Sequence, residues 1–220
     1  MSDYPRFCLS LDVGSERDHS VLTLLDRKTQ YSRGPSGEEI NLPTYDLPFL
    51  ERFKLRTPYE QIFNRTQEVM HNPLLSTKGC QLLIDATGVG NPIVQMFRKL
   101  GPIPIVISAG AVVNALSSGG YSVPKRDIVT SLQAVMQSRR IRIASGLEDI
   151  EQLKKEILGF KMRPPTSRGY IAFESDTEAT HDDIVMSLAV AVWYLEKLYG
   201  YKIPAGIGDQ ESYDPLEIYA

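Results

Sequence analysis

Residues 7–26 read FCLSLDVGSERDHSVLTLLD, and the fold turns on how that stretch is parsed. Phe7, Leu9, Leu11 and Val13 alternate with Cys8, Ser10 and Asp12, the period-2 pattern of a half-buried strand. Gly14 and Ser15 break the run. Val21-Leu22-Thr23-Leu24-Leu25 then begins a second strand, so the stretch is expected to form a hairpin-like pair. Asp12 is the odd residue. A carboxylate is a poor strand former, yet this one sits within the apolar run. Two explanations stay open on these residues alone. Asp12 either ends the strand and accepts hydrogen bonds in the turn, or is a fixed carboxylate on a rigid sheet, aimed at a cation or a phosphate. Partners elsewhere in the chain must decide.

With 220 residues, one domain is expected, spanning residues 1–200 and followed by an acidic tail, 201–220. Hydrophobic content of 42% and charged content of 23% are ordinary for a globular protein. No apolar run approaches the roughly 18 residues of a membrane span, and the N-terminal MSDYPRF lacks the basic-then-apolar pattern of a signal peptide. Cys8 and Cys80 each fall in an expected strand and are read as buried free thiols, which fits a reducing cytoplasm. Two cysteines exclude a four-cysteine zinc site. The net charge of −3 is unevenly spread: residues 121–170 carry ten Lys or Arg against five acids, a net +5, and the remainder nets −8. That asymmetry fits either a solvated helix face plus a loop, or one basic face beside an acidic site or tail.

Residues 27–57 are rich in turn formers and charge, with Ile40–Leu42 and Phe49–Leu55 able to add a third antiparallel strand. Thr57, Pro58 and Glu60 have capping-box spacing before a helix over 59–71, with Tyr59, Ile62, Phe63, Thr66, Val69 and Met70 on one face. Pro73 and Gly79 bound a loop. Cys80–Asp85 is a short strand, Asn91-Pro92 opens a helix to about Leu100, and Ile103–Ser108 is another strand, together a βαβ crossover. A loop or small hairpin over 109–123 leads to a helix opened by Pro124. Arg140–Ala144 is strand-like. Leu147–Phe160 is an amphipathic helix with Leu147, Ile150, Leu153, Ile157 and Leu158 on its apolar face. A basic loop (161–169), a strand (Tyr170–Glu174) and a long helix over 180–198 complete the chain. The whole reads as α/β: a central mixed sheet with an antiparallel N-terminal strand set and helices on both faces.

Carboxylates stand at the ends of three of these elements. Asp12 is on the first strand, Asp85 ends the strand before the crossover helix, and Asp182 and Asp183 open the last helix. Sites in open α/β sheets form where the carboxyl ends of strands meet. Carboxylates converging there need a compensating cation. Mg²⁺ or Mn²⁺ would suit them, and two such ions can clamp the attacking and leaving oxygens of a phosphodiester displacement. The expected chemistry is metal-assisted hydrolysis of a nucleic-acid backbone. Each residue also has a plainer explanation. Asp85 can serve as a turn acceptor, Asp182 and Asp183 favour a helix dipole, and Thr180-x-x-Asp183 resembles a capping box. His181 suits a helix-start surface position as well as a ligand. Asp18 either caps the turn or supports the site.

LSLDVGSERDHSVLTLL, LLIDATGVGNPIV and THDDIVMSLAVAV, in this order, resemble the nuclease domain of phage terminase large subunits over residues 6–198. The resemblance implies a ribonuclease H-like fold. It implies an endonuclease that cuts concatemeric viral DNA during genome packaging, with Asp12, Asp85 and Asp183 (Asp182 close behind) holding two Mg²⁺ or Mn²⁺ ions. Asp18 matches a further acidic position in the first motif of some members. Double-stranded DNA would contact the basic segment, including Lys125, Arg126, Arg139 and Arg140. A packaging ATPase and a portal or small terminase subunit are the implied partners, with no membrane, in the cytoplasm of a host cell. No G-x-x-x-x-G-K-[ST] loop occurs, so motor activity is expected to be absent from this chain.

Three other readings fit parts of the chain. LDVG followed by a hairpin also resembles the phosphate-binding start of actin-like ATPases and sugar kinases, which would make the chain a phosphotransferase fragment. DATGVG after a strand suggests a dinucleotide or S-adenosylmethionine site, but the next strand ends without the acid expected for a ribose hydroxyl. A catalytically silent docking module of a packaging complex is the non-enzymatic alternative.

Overall fold

The computed structural model describes residues 5–14, 17–33, 39–88, 90–162, 173–175 and 182–199. His181, the acidic tail, and Arg163 and Arg168 of the basic loop lie outside these. The strands are β1 (Phe7–Asp12), β2 (Val21–Arg33), β3 (Glu39–Arg52), β4 (Cys80–Asp85), β5 (Ile103–Ser108), β6 (Asn114–Ala115), β7 (Tyr121–Pro124), β8 (Ile141–Ile143), β9 (Phe160–Met162) and β10 (Phe173–Ser175). The helices are α1 (Tyr59–Met70), α2 (Pro73–Lys78), α3 (Gly90–Met96, continued by a 3₁₀ turn to Leu100), α4 (Lys125–Gln137), α5 (Ile150–Gly159) and α6 (Asp183–Tyr199).

Eight strands make one mixed sheet in the order β6-β7-β5-β4-β1-β2-β3-β8, and β9 and β10 form a separate antiparallel pair. β1, β4, β5 and β7 run parallel, β2 is antiparallel to β1 and β3, and β8 is parallel to β3. The carboxyl ends of β1, β3, β4, β5, β7 and β8 therefore share one end of the sheet.

The alternation in β1 divides the core. Phe7, Leu9 and Leu11 pack with Leu82, Ile84, Ile62 of α1 and Phe97, while Cys8 packs on the other face with Leu83 and the apolar residues of α4, α5 and α6. Helices thus cover both faces. α6 is buried almost throughout its first three turns, Ile184 to Leu195, and lies against β1 and β2. Its Ser187 hydroxyl donates to the Ser10 carbonyl (3.1 Å) and lies 2.9 Å from Thr23 Oγ1. A buried hydroxyl needs a partner, so this contact sets how α6 sits along β1.

The region 27–57 departs from expectation. β2 and β3 form one long hairpin, paired from Val21–Arg52 out to Arg33–Glu39. The turn-forming residues are absorbed because the ladder shifts register between Leu24 and Asp26, and unpaired Pro48 falls in that irregularity. A bulge is where a strand tolerates a residue without an N–H. Residues 73–78 are helical rather than loop, since the Asn72 side chain accepts from Leu74 N (2.9 Å) ahead of Pro73 at the first turn. Thr57 is not the cap of α1. Its hydroxyl donates backward to the Lys54 carbonyl (2.7 Å), leaving Pro58 at the N-cap without a side-chain bond. Leu158, expected on the buried face of α5, is 78% exposed. Cys8 and Cys80 are free thiols, and burial pushes Cys80 up to about 12, so it stays protonated. Among the described residues no helix is long and apolar enough to cross a membrane.

Candidate functional site

Asp12 shares the face of β1 that carries Cys8 and Ser10, so strand alternation turns it toward α6. β4 lies in register beside β1, and the pair Leu11–Ile84 puts Asp85 on the next rung next to Asp12. Leu83 points to the α6 face, and two residues on Asp85 does the same. α6 supplies the third group. Asp183 precedes Ser187 by four residues, one helical turn, so the helix face that meets Ser10 also brings Asp183 to the Asp12 end of β1. Asp183 is buried, at 8% exposure.

The turn after β1 closes over this end. A Cβ on Gly14 would come within 2.3 Å of the Asp18 carbonyl oxygen, so only glycine lets the chain fold back so closely. Gly14 N donates to Ser20 Oγ (3.0 Å), His19 N donates to Asp183 Oδ2 (3.2 Å), and His19 Nδ1 lies 2.7 Å from the Phe53 carbonyl oxygen. Asp18 itself is exposed on this turn. Asp182 is ion-paired to Lys125 (3.0 Å), the first residue of α4, where the chain leaves β7. Asp85 Oδ1 accepts from Thr87 N (2.7 Å), and Thr87 Oγ1 accepts from Ile107 N (2.7 Å), tying the β4 and β5 ends together.

The electrostatics are those of crowded like charges. Burial first, and then the charges of Asp85, Asp183, Asp182 and Asp18, push the Asp12 carboxyl well above the usual carboxylate range. Burial raises Asp85 as well, against its hydrogen bonds with Thr87 and the charge of Lys125. Oxygen-only donors of this kind suit a hard divalent cation. As they stand, no three His, Cys, Asp or Glu side chains among the described residues are close enough to share one ion. Three of these carboxylates have local ties instead: Asp85 to Thr87, Asp182 to Lys125, Asp183 to the His19 amide.

Two contributors carry no obvious sequence signal. Glu156 lies on the buried face of α5, beside Leu153 and Ile157, where another apolar residue would be expected. It is 2% exposed, and its Oε2 accepts from the amides of Ile184 (2.9 Å) and Val185 (3.0 Å). It caps α6 from a different helix and holds the Asp182-Asp183 entry in place. The Ser187–Thr23 pair is the second, invisible because its partners are 164 residues apart.

The remaining basic candidates are dispersed. Arg126 is exposed and pairs with its neighbour Asp127 (3.4 Å). Arg139 is exposed, in the left-handed region at φ 53°, just after α4. Arg140 precedes β8 at the opposite end of the sheet from Asp12. It forms a two-pronged ion pair with Glu196 (2.8 Å at both prongs) and donates to the Pro43 carbonyl (3.0 Å). The structure does not bring Arg139 and Arg140 to the carboxylates.

No family model matches the chain, and no curated protein matches it in sequence. Among solved structures it is similar to the crystal structure of the large terminase nuclease from thermophilic phage G20c. The TM-score is 0.57, over 85% of this chain and 81% of that one, at 21% identity. At that identity the likeness speaks for the fold, and the fold is the ribonuclease H-like one that the motifs led us to expect.

Proposed function

We propose that this chain is a metal-dependent endonuclease that hydrolyses DNA phosphodiester bonds, of the kind that cuts viral DNA during genome packaging. The observation that carries the reading is the crowding of Asp85, Asp182, Asp183 and Asp18 around Asp12, at the end of the sheet where most strands terminate. Each ionised carboxylate in such a group raises the cost of ionising its neighbours, and a bound divalent cation would relieve that cost. The shared fold with a terminase nuclease supports a nuclease-type function.

In this reading Asp12, Asp85 and Asp183 hold Mg²⁺ or Mn²⁺, two ions in all, with Asp182 able to join them. The bound metal would polarise the phosphoryl oxygen and generate hydroxide from water near neutral pH. The chain's own residues orient and balance. β1 and β4 fix two carboxylates on adjacent strands, Glu156 and the His19 amide fix the α6 entry, and Lys125 offers an ammonium that can leave Asp182 for a phosphate oxygen. DNA would be the substrate. A packaging ATPase with a portal or small terminase subunit would be the partners, in the cytoplasm of a host cell.

The alternative is a catalytically silent docking module, and one observation favours it: no three potential ligands among the described residues already stand within reach of one ion. Cleavage of supercoiled plasmid separates the two. With Mn²⁺ or Mg²⁺ the wild type should nick and linearise the plasmid, EDTA should stop it, and Asp183→Asn should lose the activity. A wild type that cuts with neither ion would sink the nuclease reading and leave the docking module.

A further inference from the structure

β3 ends on the same rung as the site. Asp12 faces Val21, and Val21 faces Arg52. Residues directly opposite one another point to the same face, so Arg52 lies on the Asp12 face, two strand spacings or about 10 Å away. Leu50, two residues earlier, confirms the facing, since it packs in the α6-side core.

Beyond Arg52 the chain turns through Lys54 and Arg56 toward α1, and two clefts open beside this turn. One, lined by Gly14, Asp18, Ser20, Lys54, Arg56 and Tyr59 among others, starts at the turn that follows Asp12. The other, of about 650 Å³, runs along the free edge of β3 past Arg52 and Arg65. Lys54 and Thr57 line both, so the clefts adjoin.

The cations along this path differ in their commitments. Arg65 is held by Glu51 and Glu68, each at 2.7 Å. Among the described residues, no carboxylate pairs with Arg52, Lys54 or Arg56, and the buried Nε of Arg52 has no hydrogen-bond partner. Arg56 is exposed and held at φ 63°, a left-handed conformation that a non-glycine residue adopts at a cost. Among the described residues, the carboxylates of the lining are Asp18 at the site end, Glu51, which Arg65 neutralises, and Glu148 across the β3 edge.

We infer that Arg52, Lys54 and Arg56 form a phosphate track that carries the DNA backbone away from the carboxylate site, across the Gly14–Ser20 turn and onto the β3 edge. The inference rests on the nuclease reading and adds to it where the flanking duplex lies. Phosphates recur at about 3.4 Å of axis along each strand, so the 10 Å between Asp12 and Arg52 spans a few nucleotides. The track supplies cations close to a site whose own charge would otherwise repel the substrate. It lies on the β3 side of the site, across the sheet from β7, where Lys125 reaches Asp182.

The test is binding of a fluorescein-labelled duplex of about 30 base pairs to the full chain in EDTA, over a salt series, with plasmid cleavage in Mn²⁺ run alongside. The variant is Lys54→Gln with Arg56→Gly. Glycine relieves the left-handed backbone while removing the cation, so lost binding cannot be blamed on unfolding. The control is Arg98→Gln with Lys99→Gln, at the opposite end of the sheet. We expect the Lys54/Arg56 variant to bind about tenfold more weakly near 0.15 M salt, with a log–log salt slope shallower by about two, and the control to match wild type. Wild-type slope and affinity in the variant, or an equal loss in the control, would overturn the track while plasmid cleavage still upheld the nuclease. A wild type that neither binds nor cuts would overturn both.

Discussion

The two ends of the sheet treat buried charge in opposite ways. At the amino end of β8, Arg140 and Glu196 meet through two hydrogen bonds, the Tyr45 hydroxyl donates to the same Glu196, and both charged side chains are largely shielded, at 13% and 20% exposure. Every charge there has an opposite. At the carboxyl ends of β1 and β4, five aspartates gather, with Asp182 paired to Lys125. The first arrangement is complete and tells us about stability. The second crowds like charges around Asp12, and such crowding persists in a fold when a ligand relieves it. Charge compensation, rather than burial or the number of acids, distinguishes a structural cluster from a candidate site.

The hardest test of that contrast is Asp12→Asn. Cleavage in Mn²⁺ should fall by at least about a thousandfold, while the melting temperature holds or rises, because a carboxylate crowded by its neighbours becomes neutral. Lost activity together with a lowered melting temperature would make Asp12 a structural turn acceptor instead. At the other end, Arg140→Ala should cost about 3 kcal/mol in urea unfolding, since Glu196 would be left shielded and unpaired. A cost under about 1 kcal/mol would mean that the two ends do not differ in kind.

The smallest effect tests a surface example of the balanced type. Partial burial works to raise the Asp46 carboxyl, but hydrogen bonds from Lys28 and Arg142 outweigh it and hold Asp46 below its ordinary value. A lowered folded-state pKa contributes stability that is present above about pH 4 and is lost as pH falls through the folded value. Asp46→Asn should therefore lower stability at neutral pH by a few tenths of a kcal/mol, change little in strong acid, and so flatten the acid limb between them. An unchanged acid limb would show the pairs to be inert.

What could be read from the sequence follows from how local each signal is. The alternation of Phe7 to Asp12 and the strand-helix-strand spacing of 80–108 are local patterns, and both elements form where expected. The β2–β3 hairpin was obscured because Pro43, Pro48 and the polar run 27–33 argue for turns, and the ladder that overrides them is a pairing between segments. The carboxylates could be picked out because aspartates at element ends violate local preference. Glu156 could not, since one carboxylate in an amphipathic helix looks like a surface residue until α6 is laid against it. Arg140 looked like an exposed cation for the same reason, as nothing near it in sequence announces Glu196.

The contact of Ser187 with Ser10 joins residues 177 positions apart. Its consequence lies in the order of synthesis. β1 leaves the ribosome first among the described elements and α6 last, so the Asp183 corner of the site cannot exist until the chain has been made through α6. Closing so long a loop is slow compared with forming local structure. Until then the α6 face of β1, including Cys8, lies uncovered and open to association with other chains. A nascent chain would thus be vulnerable to aggregation and, on the nuclease reading, inert toward DNA until α6 is in place.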